Sequence, residues 1–281
     1  MKVKITADST CDLPHGTIDR YGIGIAPILI IKDDKPYMDR IDITAADIFE
    51  YVESGAGMTQ TCALNVSDYL EHFTRWRKDC DAIIHVSISS HFSSCYQSAR
   101  IAAEELGNVY VVDSMNLSTG SGHIVLDAAI MAEEGMTPEQ IVKELEALVP
   151  RVEASFVIGK LKYLHLGGRC SGLAALGANL LKLNPCIEVI NGKMEVGKKY
   201  RGSFDKVLNY YVEDKLSGRD DIDNKRIFIT YPPGFSADIV NSVANKIKSM
   251  HYFIDIIICE AGCVISNHCG PICLGVLFYR K

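Results

Sequence analysis

The stretch IIHVSISSHFSSCYQSA, residues 83–99, decides the fold class of this chain. It begins as an apolar strand, continues as a serine-rich loop without lysine, and ends in a helix-like pattern. Such a loop favours a bound carboxylate or phosphate, because backbone N–H groups and the positive end of the helix dipole point at it. The alternative is that serines such as Ser93 and Ser94 merely cap the helix, since serine is an ordinary N-cap residue.

Two further runs repeat this design. VKITADST (3–10) and VYVVDSMN (109–116) are also apolar strands that end in Asp and Ser before a helical pattern. Strands of this kind form a parallel sheet covered by helices, and ligands of such sheets bind beyond the carboxyl ends of the strands. Asp8 and Asp113 lie at those ends, where helix capping and turn formation are the alternative roles.

The pattern changes after Pro150. Two alternating runs, CIEVI and KMEVG, flank Asn191-Gly192, which is a strong signal for a β-hairpin. We therefore predict a two-domain α/β protein. Residues 1–152 form a mainly parallel sheet with covering helices, and residues 153–281 form an α/β domain with a mixed, partly antiparallel sheet. Periodicity predicts helices at 44–54, 67–79, 96–107, 118–135, 137–149, 173–183, 203–216 and 236–250, and closing strands near 253–261 and 273–279.

Composition narrows the functional classes. The 281 residues are 48% hydrophobic and 23% charged, as in globular proteins, and 35 acidic against 29 basic residues leave a net charge of −6. Because the chain has no basic run to neutralise phosphates, nucleic acid is not expected as a partner. The longest apolar stretches fall short of the roughly 20 residues that cross a bilayer, and the N-terminus lacks the apolar core of a signal peptide. We predict a cytoplasmic protein with at most transient contact with a membrane surface.

The ten cysteines are better explained as reduced, buried thiols than as a disulfide framework. Cys259, Cys263, Cys269 and Cys273 form the densest group, but intervals of three, five and three residues differ from the tight pairs that hold zinc. Their neighbours indicate buried sheet, so neither a metal site nor a cofactor is predicted.

A few polar groups stand out in the rest of the chain. TQT at 59–61 follows a Gly-rich turn and precedes a helix, where an N-cap is the ordinary role. Arg169 follows two glycines that allow a tight turn, and a solvated surface arginine is the alternative there. His268 is expected in a turn between the two closing strands. The chain contains no phosphate-binding P-loop, Rossmann fingerprint, zinc-protease motif or nucleophile elbow.

Six segments match, in order and spacing, the motifs of one protein family. The segments are ADSTCDLP (7–14), MTQTCALN (58–65), SISSHFSSCYQSA (87–99), VVDSMNLSTGSG (111–122), LKYLHLGGRCSG (161–172) and VISNHCGPICLGVLF (264–278). On these motifs the whole chain resembles the DegV family.

The resemblance implies a fatty-acid-binding protein that is not itself an enzyme. A long-chain acid would lie with its tail in an apolar cavity and its carboxylate between the two domains. In many bacteria, members of the family serve as the lipid-carrying subunit of a fatty acid kinase, in which a separate ATP-dependent kinase phosphorylates that carboxylate to an acyl phosphate. Carried over by position, Thr61, Ser93 and His268 bind the carboxylate, Arg201 serves phosphate transfer, and Arg169 and Ser94 are additional head-group or phosphate-transfer candidates.

A different class of function uses the same residue types. Ser93 and His268, with Asp8 or Asp113 as the orienting group, have the composition of a serine hydrolase or acyltransferase, although the strained elbow that exposes such a serine is missing. A carrier for another amphipathic anion is a third possibility. Bulkier residues at 91–95 replace the Gly-rich loop of the family, so a preference for acyl chain length does not follow from the resemblance.

Overall fold

The computed structural model of the chain describes residues 1–170, 172 and 183–281. Within that part of the chain, thirteen strands form three sheets, and ten α-helices pack around them. In chain order the strands are β1 (Val3–Asp8), β2 (Gly24–Ala26), β3 (Leu29–Lys32), β4 (Lys35–Met38), β5 (Gln60–Cys62), β6 (Ala82–Ser87), β7 (Val109–Asp113), β8 (Val152–Ile158), β9 (Asn184–Ile190), β10 (Lys193–Tyr200), β11 (Ile222–Tyr231), β12 (Asp255–Glu260) and β13 (Cys273–Arg280).

The helices predicted within the described residues are confirmed, with ends that differ by at most two residues. The predicted helix at 173–183 lies outside the described residues, apart from its last position. Three helices of seven residues, His15–Tyr21, Leu161–Gly167 and Cys263–Cys269, are not among the predicted ranges, because segments this short hold barely two turns of periodic pattern. The helices are α1 (His15–Tyr21), α2 (Ala45–Glu53), α3 (Val66–Arg77), α4 (Cys95–Leu106), α5 (Ser118–Glu133), α6 (Pro138–Leu148), α7 (Leu161–Gly167), α8 (Phe204–Leu216), α9 (Ala237–Met250) and α10 (Cys263–Cys269).

A four-stranded parallel sheet in the order β2-β1-β6-β7 confirms the prediction from the three repeated runs. Its register pairs Ala7 with Val86 and Ser87 with Asp113. The carboxyl ends of three neighbouring strands therefore meet at one edge, and the serine-rich loop leaves the sheet there. This edge is where a ligand of a parallel sheet is expected.

A six-stranded mixed sheet in the order β10-β9-β8-β13-β11-β12 confirms the prediction for the second half. Its pairings are antiparallel except for β11 with β12. The β9–β10 hairpin turns at Asn191-Gly192, as the sequence predicts, and both residues have positive φ angles of 48° and 78°. Asparagine and glycine tolerate that left-handed conformation better than other residues.

A third sheet, antiparallel and in the order β4-β3-β5, corrects the interpretation of residues 59–61. These residues do not cap the following helix. Thr61 lies in β5 and pairs with Ile30, while Asn65 is the N-cap of α3 and accepts the Asp68 N–H at 3.1 Å. β5 contains only three residues, Gln60, Thr61 and Cys62, which are too few for a period of two to be recognised.

The position of His268 is also corrected. The segment between the two closing strands is the helix α10, with its residues buried or half-buried, and His268 lies near its carboxyl end. Gly262 and Gly270 border this helix. Of the four clustered cysteines, Cys263 and Cys269 therefore belong to a helix, and not to the buried sheet that the sequence indicates.

Helix α5 joins the two larger sheets. All its residues from 118 to 129 are buried, and the same hydrophobic cluster contains Ile84 of the parallel sheet and Leu277 of the mixed sheet. A polar contact crosses the same interface, where Thr119 and Thr230 hydroxyls lie 2.6 Å apart. A boundary near residue 152 remains a prediction, and its two sides share this apolar core. Among the described helices, none combines the length and apolar character needed to span a bilayer.

Candidate functional site

A cavity of about 410 Å³ lies where the serine-rich loop, β5, the hairpin strand β10 and α10 meet. This volume is within the range of about 300–1,000 Å³ that is usual for small-molecule sites. Five of the six residues predicted for the site line it. The described lining residues are Ile28, Thr61, Ala63, Ile88, Ser90, His91, Phe92, Ser93, Ser94, Leu117, Arg169, Met194, Val264, Ile265, His268 and Cys269.

Asp8 fixes the start of the serine-rich loop. Its buried carboxylate accepts hydrogen bonds from the Ser87 hydroxyl at 2.7 Å and from the Ile88 N–H at 2.9 Å. Burial opposes ionisation, but His85, the Tyr69 hydroxyl and the Ile88 N–H outweigh it, so the pKa of Asp8 lies below its ordinary value. Asp113 accepts the N–H groups of Ser90 and Met115 in a similar way. Both aspartates therefore hold loop backbone in place.

Ser93 and Ser94 share the start of α4. Ser94 is the N-cap by position, yet its side chain makes no cap hydrogen bond. The Ser93 oxygen instead accepts the Cys95 N–H at 3.2 Å. A hydroxyl that accepts through its lone pairs keeps its proton to donate. The capping role and a role toward a ligand are thus compatible at Ser93.

His268 faces the cavity as a neutral imidazole. Its Nε2 lies 3.0 Å from the Thr61 hydroxyl, whereas its buried Nδ1 has no hydrogen-bond partner among the described residues. Burial, assisted by the charge of Arg169, lowers the pKa of His268 to about 4. With a bare Nδ1 we assign the proton to Nε2, which then donates to Thr61 and leaves the threonine proton free for a ligand.

The backbone of Gly167 packs closely against the ring of His268. A Cβ built on Gly167 would collide with the His268 Nδ1, so only glycine fits beside the ring. The next turn carries Arg169, whose Nη1 donates to the Gly167 carbonyl at 2.7 Å. Among the described lining residues, Arg169 carries the sole permanent charge. The polar end of the cavity therefore combines hydroxyl donors with one cation.

Arg201 is the predicted site residue that does not line this cavity. It follows the last residue of β10, is exposed, and makes no hydrogen bond or ion pair with the described residues. Sequence reasoning did not single out Met194 or Leu117, because both are ordinary apolar residues whose place in the cavity depends on tertiary packing. Nor did it foresee that the hairpin tip closes over the loop, where the Ser89 hydroxyl donates to the Gly192 carbonyl at 2.9 Å.

The interior end of the cavity is apolar. Leu117, Ile265 and Cys269 line both the cavity and a smaller void of about 30 Å³ that reaches the face of the mixed sheet at Phe156 and Leu277. The site thus runs from a polar mouth to a hydrocarbon-like interior. An amphipathic molecule with one anionic end matches this gradient.

The arrangement does not form a hydrolase triad. Nε2 of His268 contacts Thr61, Ser93 accepts the Cys95 N–H, and no hydrogen bond between the two candidate catalytic side chains exists within the described part of the chain. Asp8 and Asp113 are occupied by loop groups instead of orienting the imidazole. A serine nucleophile needs both contacts. Nor does the described part of the chain place three or more His, Cys, Asp or Glu side chains so that they could hold a metal ion.

Comparison with known proteins gives the family. The family model described as "Uncharacterised protein, DegV family" matches residues 2–281. The chain belongs to the DegV family. A DegV domain-containing protein of Clostridium acetobutylicum is 32% identical over 283 residues, which cover 100% of this chain and 99% of the relative. A fatty acid-binding protein of Thermotoga maritima is 29% identical over 280 residues, with 96% and 95% covered.

A solved DegV structure has the same fold. The DegV family protein from Thermus thermophilus, described for its fatty acid binding, superimposes with a TM-score of 0.89 at 29% identity and covers 100% of both chains. The mixed α/β architecture of this DegV chain is therefore that of its family.

Proposed function

We propose that the chain binds a long-chain fatty acid in the cavity, with the carboxylate at Thr61, Ser93 and His268. The observation that carries the proposal is the convergence of these three side chains at the polar end of an otherwise apolar cavity. The fatty acid binding described for the Thermus and Thermotoga relatives supports it.

The apolar interior supplies most of the affinity in this proposal. Each buried methylene contributes about 0.8 kcal/mol before the cost of association is deducted. The contacts to the head group then serve to orient the carboxylate more than to add affinity. Two hydroxyls orient the carboxylate, and the neutral imidazole of His268 orients the Thr61 hydroxyl, while Arg169 at the mouth adds a charge-assisted contact.

Protein purified from a bacterial host is expected to carry a long-chain fatty acid. Organic extraction of the folded protein followed by mass spectrometry measures it. Stripped protein should then rebind myristate, palmitate or oleate in a titration. The proposal fails if folded protein yields no acid and binds none of the three.

We further propose that this cytoplasmic carrier presents the carboxylate to a separate ATP-dependent kinase. In that reaction a carboxylate oxygen attacks the γ-phosphorus of ATP, an acyl phosphate forms and ADP leaves. Arg201 supports the proposal by its exposure and by its match to a family arginine. A guanidinium holds two phosphate oxygens at once and keeps its charge.

Arg201→Ala is expected to leave the fatty acid affinity within about twofold of the original chain, because Arg201 lies outside the cavity lining. Acyl-phosphate formation with the cognate kinase should fall at least tenfold. The matched control is Lys199→Ala, which removes an exposed basic side chain near the end of β10, two residues before Arg201. Unchanged turnover in the Arg201 variant would remove its transfer role, and lost binding would move this arginine into the head-group site.

A further inference from the structure

The N-terminal end of α10 is capped by two aspartates from distant parts of the chain. The Gly262 N–H donates to Asp12 Oδ1 at 2.7 Å, and the Cys263 N–H donates to Asp39 Oδ1 at 2.7 Å. Both carboxylates are buried. Charged acceptors at this end of a helix satisfy its free N–H groups and complement its dipole.

The two carboxylates are themselves held in place. Ser118 donates to the second oxygen of Asp12 at 2.6 Å, and Ser9 donates to that of Asp39 at 2.7 Å. Arg40 bridges the arrangement, since its Nη2 lies 3.1 Å from Asp12 Oδ1 and donates to the Glu260 carbonyl at 2.8 Å. These bonds leave the carboxylates little freedom to move away from α10.

Gly262 fits tightly into this arrangement. A Cβ on this residue would lie 2.7 Å from Arg40 Nε and 3.1 Å from Asp12 Oδ1, so the backbone approaches the cluster as closely as glycine allows. Helix α10 depends on such external contacts for its shape. It is seven residues long, and its first turn contains the β-branched Val264 and Ile265, which lower helix propensity.

We propose that Asp12 and Asp39 are positioning residues for fatty acid binding, whose carboxylates fix α10 and thereby hold His268 in the cavity wall. The proposal rests on the proposed function for its effect on the ligand. His268 lies at the opposite end of the same short helix, and a shift of α10 moves the imidazole relative to Thr61 of β5.

This cap also makes the site sensitive to pH. Burial raises the pKa of Asp12 to about 6, although Arg40 acts in the opposite direction. The other titratable groups facing Asp12 are Asp39, Cys11 and Cys259, and burial raises the pKa of each thiol to about 12, so both thiols stay neutral. A proton on Asp12 removes the charge that strengthens its hydrogen bonds.

The test compares oleate binding by the original chain and by Asp12→Asn, at pH 7.5 and at pH 5.5. At pH 7.5 the variant is expected to bind about fivefold more weakly, because the amide keeps an acceptor but lacks the charge. At pH 5.5 the two proteins should agree within about twofold, since Asp12 is then largely protonated. Protonation of the fatty acid itself affects both proteins equally at a given pH, so it cancels in the ratio of their affinities. Asp205→Asn, which changes an exposed carboxylate in the first turn of α8, should match the original chain at both pH values.

Hydrogen exchange of ligand-free protein separates failure of this inference from failure of the proposed function. The amides of residues 262–269 should exchange faster in Asp12→Asn than in the original chain at pH 7.5, while the thermal midpoint is not lowered, because the variant avoids ionising a buried carboxyl group. Unchanged exchange overturns the positioning role even if no fatty acid binds. If exchange is faster but the variant binds oleate as tightly as the original chain, Asp12 stabilises α10 without affecting the ligand, and this result also overturns the positioning role.

Discussion

Asp127→Ala is expected to lower the free energy of unfolding by about 3–5 kcal/mol, because it leaves a buried arginine without its counter-ion. Arg226 is 2% exposed, and its Nη2 donates to Asp127 Oδ1 at 2.7 Å. The Tyr279 hydroxyl donates to the other oxygen at 2.8 Å, and Lys225 reaches the first at 2.7 Å. This group ties α5 to two strands of the mixed sheet.

Urea unfolding at pH 7 measures the change, with Asp238→Ala as the control. Asp238 is an exposed acidic residue in the first turn of α9, and its loss should cost at most about 1 kcal/mol. A midpoint for the Asp127 variant equal to that of the control would show that this buried pair does not stabilise the fold.

The ion pair of Asp127 and Arg226 also makes the free energy of unfolding depend on pH, in a direction that follows from the pKa of Asp127. Burial alone would raise the pKa of Asp127, but Arg226 and Lys225 outweigh it and hold that pKa below its ordinary value. A carboxyl group whose pKa is lower in the folded state stabilises the protein above its unfolded pKa, and this contribution disappears as the pH falls through the folded pKa. The difference in the free energy of unfolding between the original chain and Asp127→Ala should therefore become smaller below about pH 4.

Long periodic segments explain why most of the fold was predicted. The helix at 137–149 and the hairpin at Asn191-Gly192 can each be recognised from local sequence, because the helix buries Ile141 and Leu145 on one face and the hairpin contains a turn that few residue pairs allow. Helix α10 cannot be recognised in this way. Its N-terminal capping partners, Asp12 and Asp39, lie more than 200 residues away, so no local window contains the reason for the helix.

The sequence predicted which residues form the candidate site, but not how they contact one another. Family motifs singled out Thr61, Ser93 and His268, and the structure brings all three to one cavity. The sequence did not reveal that Thr61 and His268 contact each other through a strand and a helix that were both missed. Contacts between distant short elements depend on packing, which the alternation of residue types in one element does not describe.

Thr61→Val, Ser93→Ala and His268→Ala are each expected to weaken fatty acid binding by about 1–3 kcal/mol while the tail contacts remain. The first two changes remove a hydroxyl donor from the head group, and the third removes the imidazole that donates to Thr61 and so directs the threonine proton to the ligand. Isothermal titration with stripped protein and oleate measures the affinities. The control is Ser98→Ala, which removes a hydroxyl from α4 outside the cavity lining and should leave the affinity unchanged.

The contact between Thr61 and His268 sharpens this prediction. Because Nε2 and the threonine hydroxyl share one hydrogen bond at 3.0 Å, the effects of changing both residues should fall short of additivity by about 0.5 kcal/mol or more. Ser93 bonds to neither of them, so its effect should add more nearly to that of Thr61→Val. Full additivity of the Thr61 and His268 changes would mean that the two side chains do not act as one unit. If all three single variants bind oleate as tightly as the original chain, the carboxylate binds elsewhere.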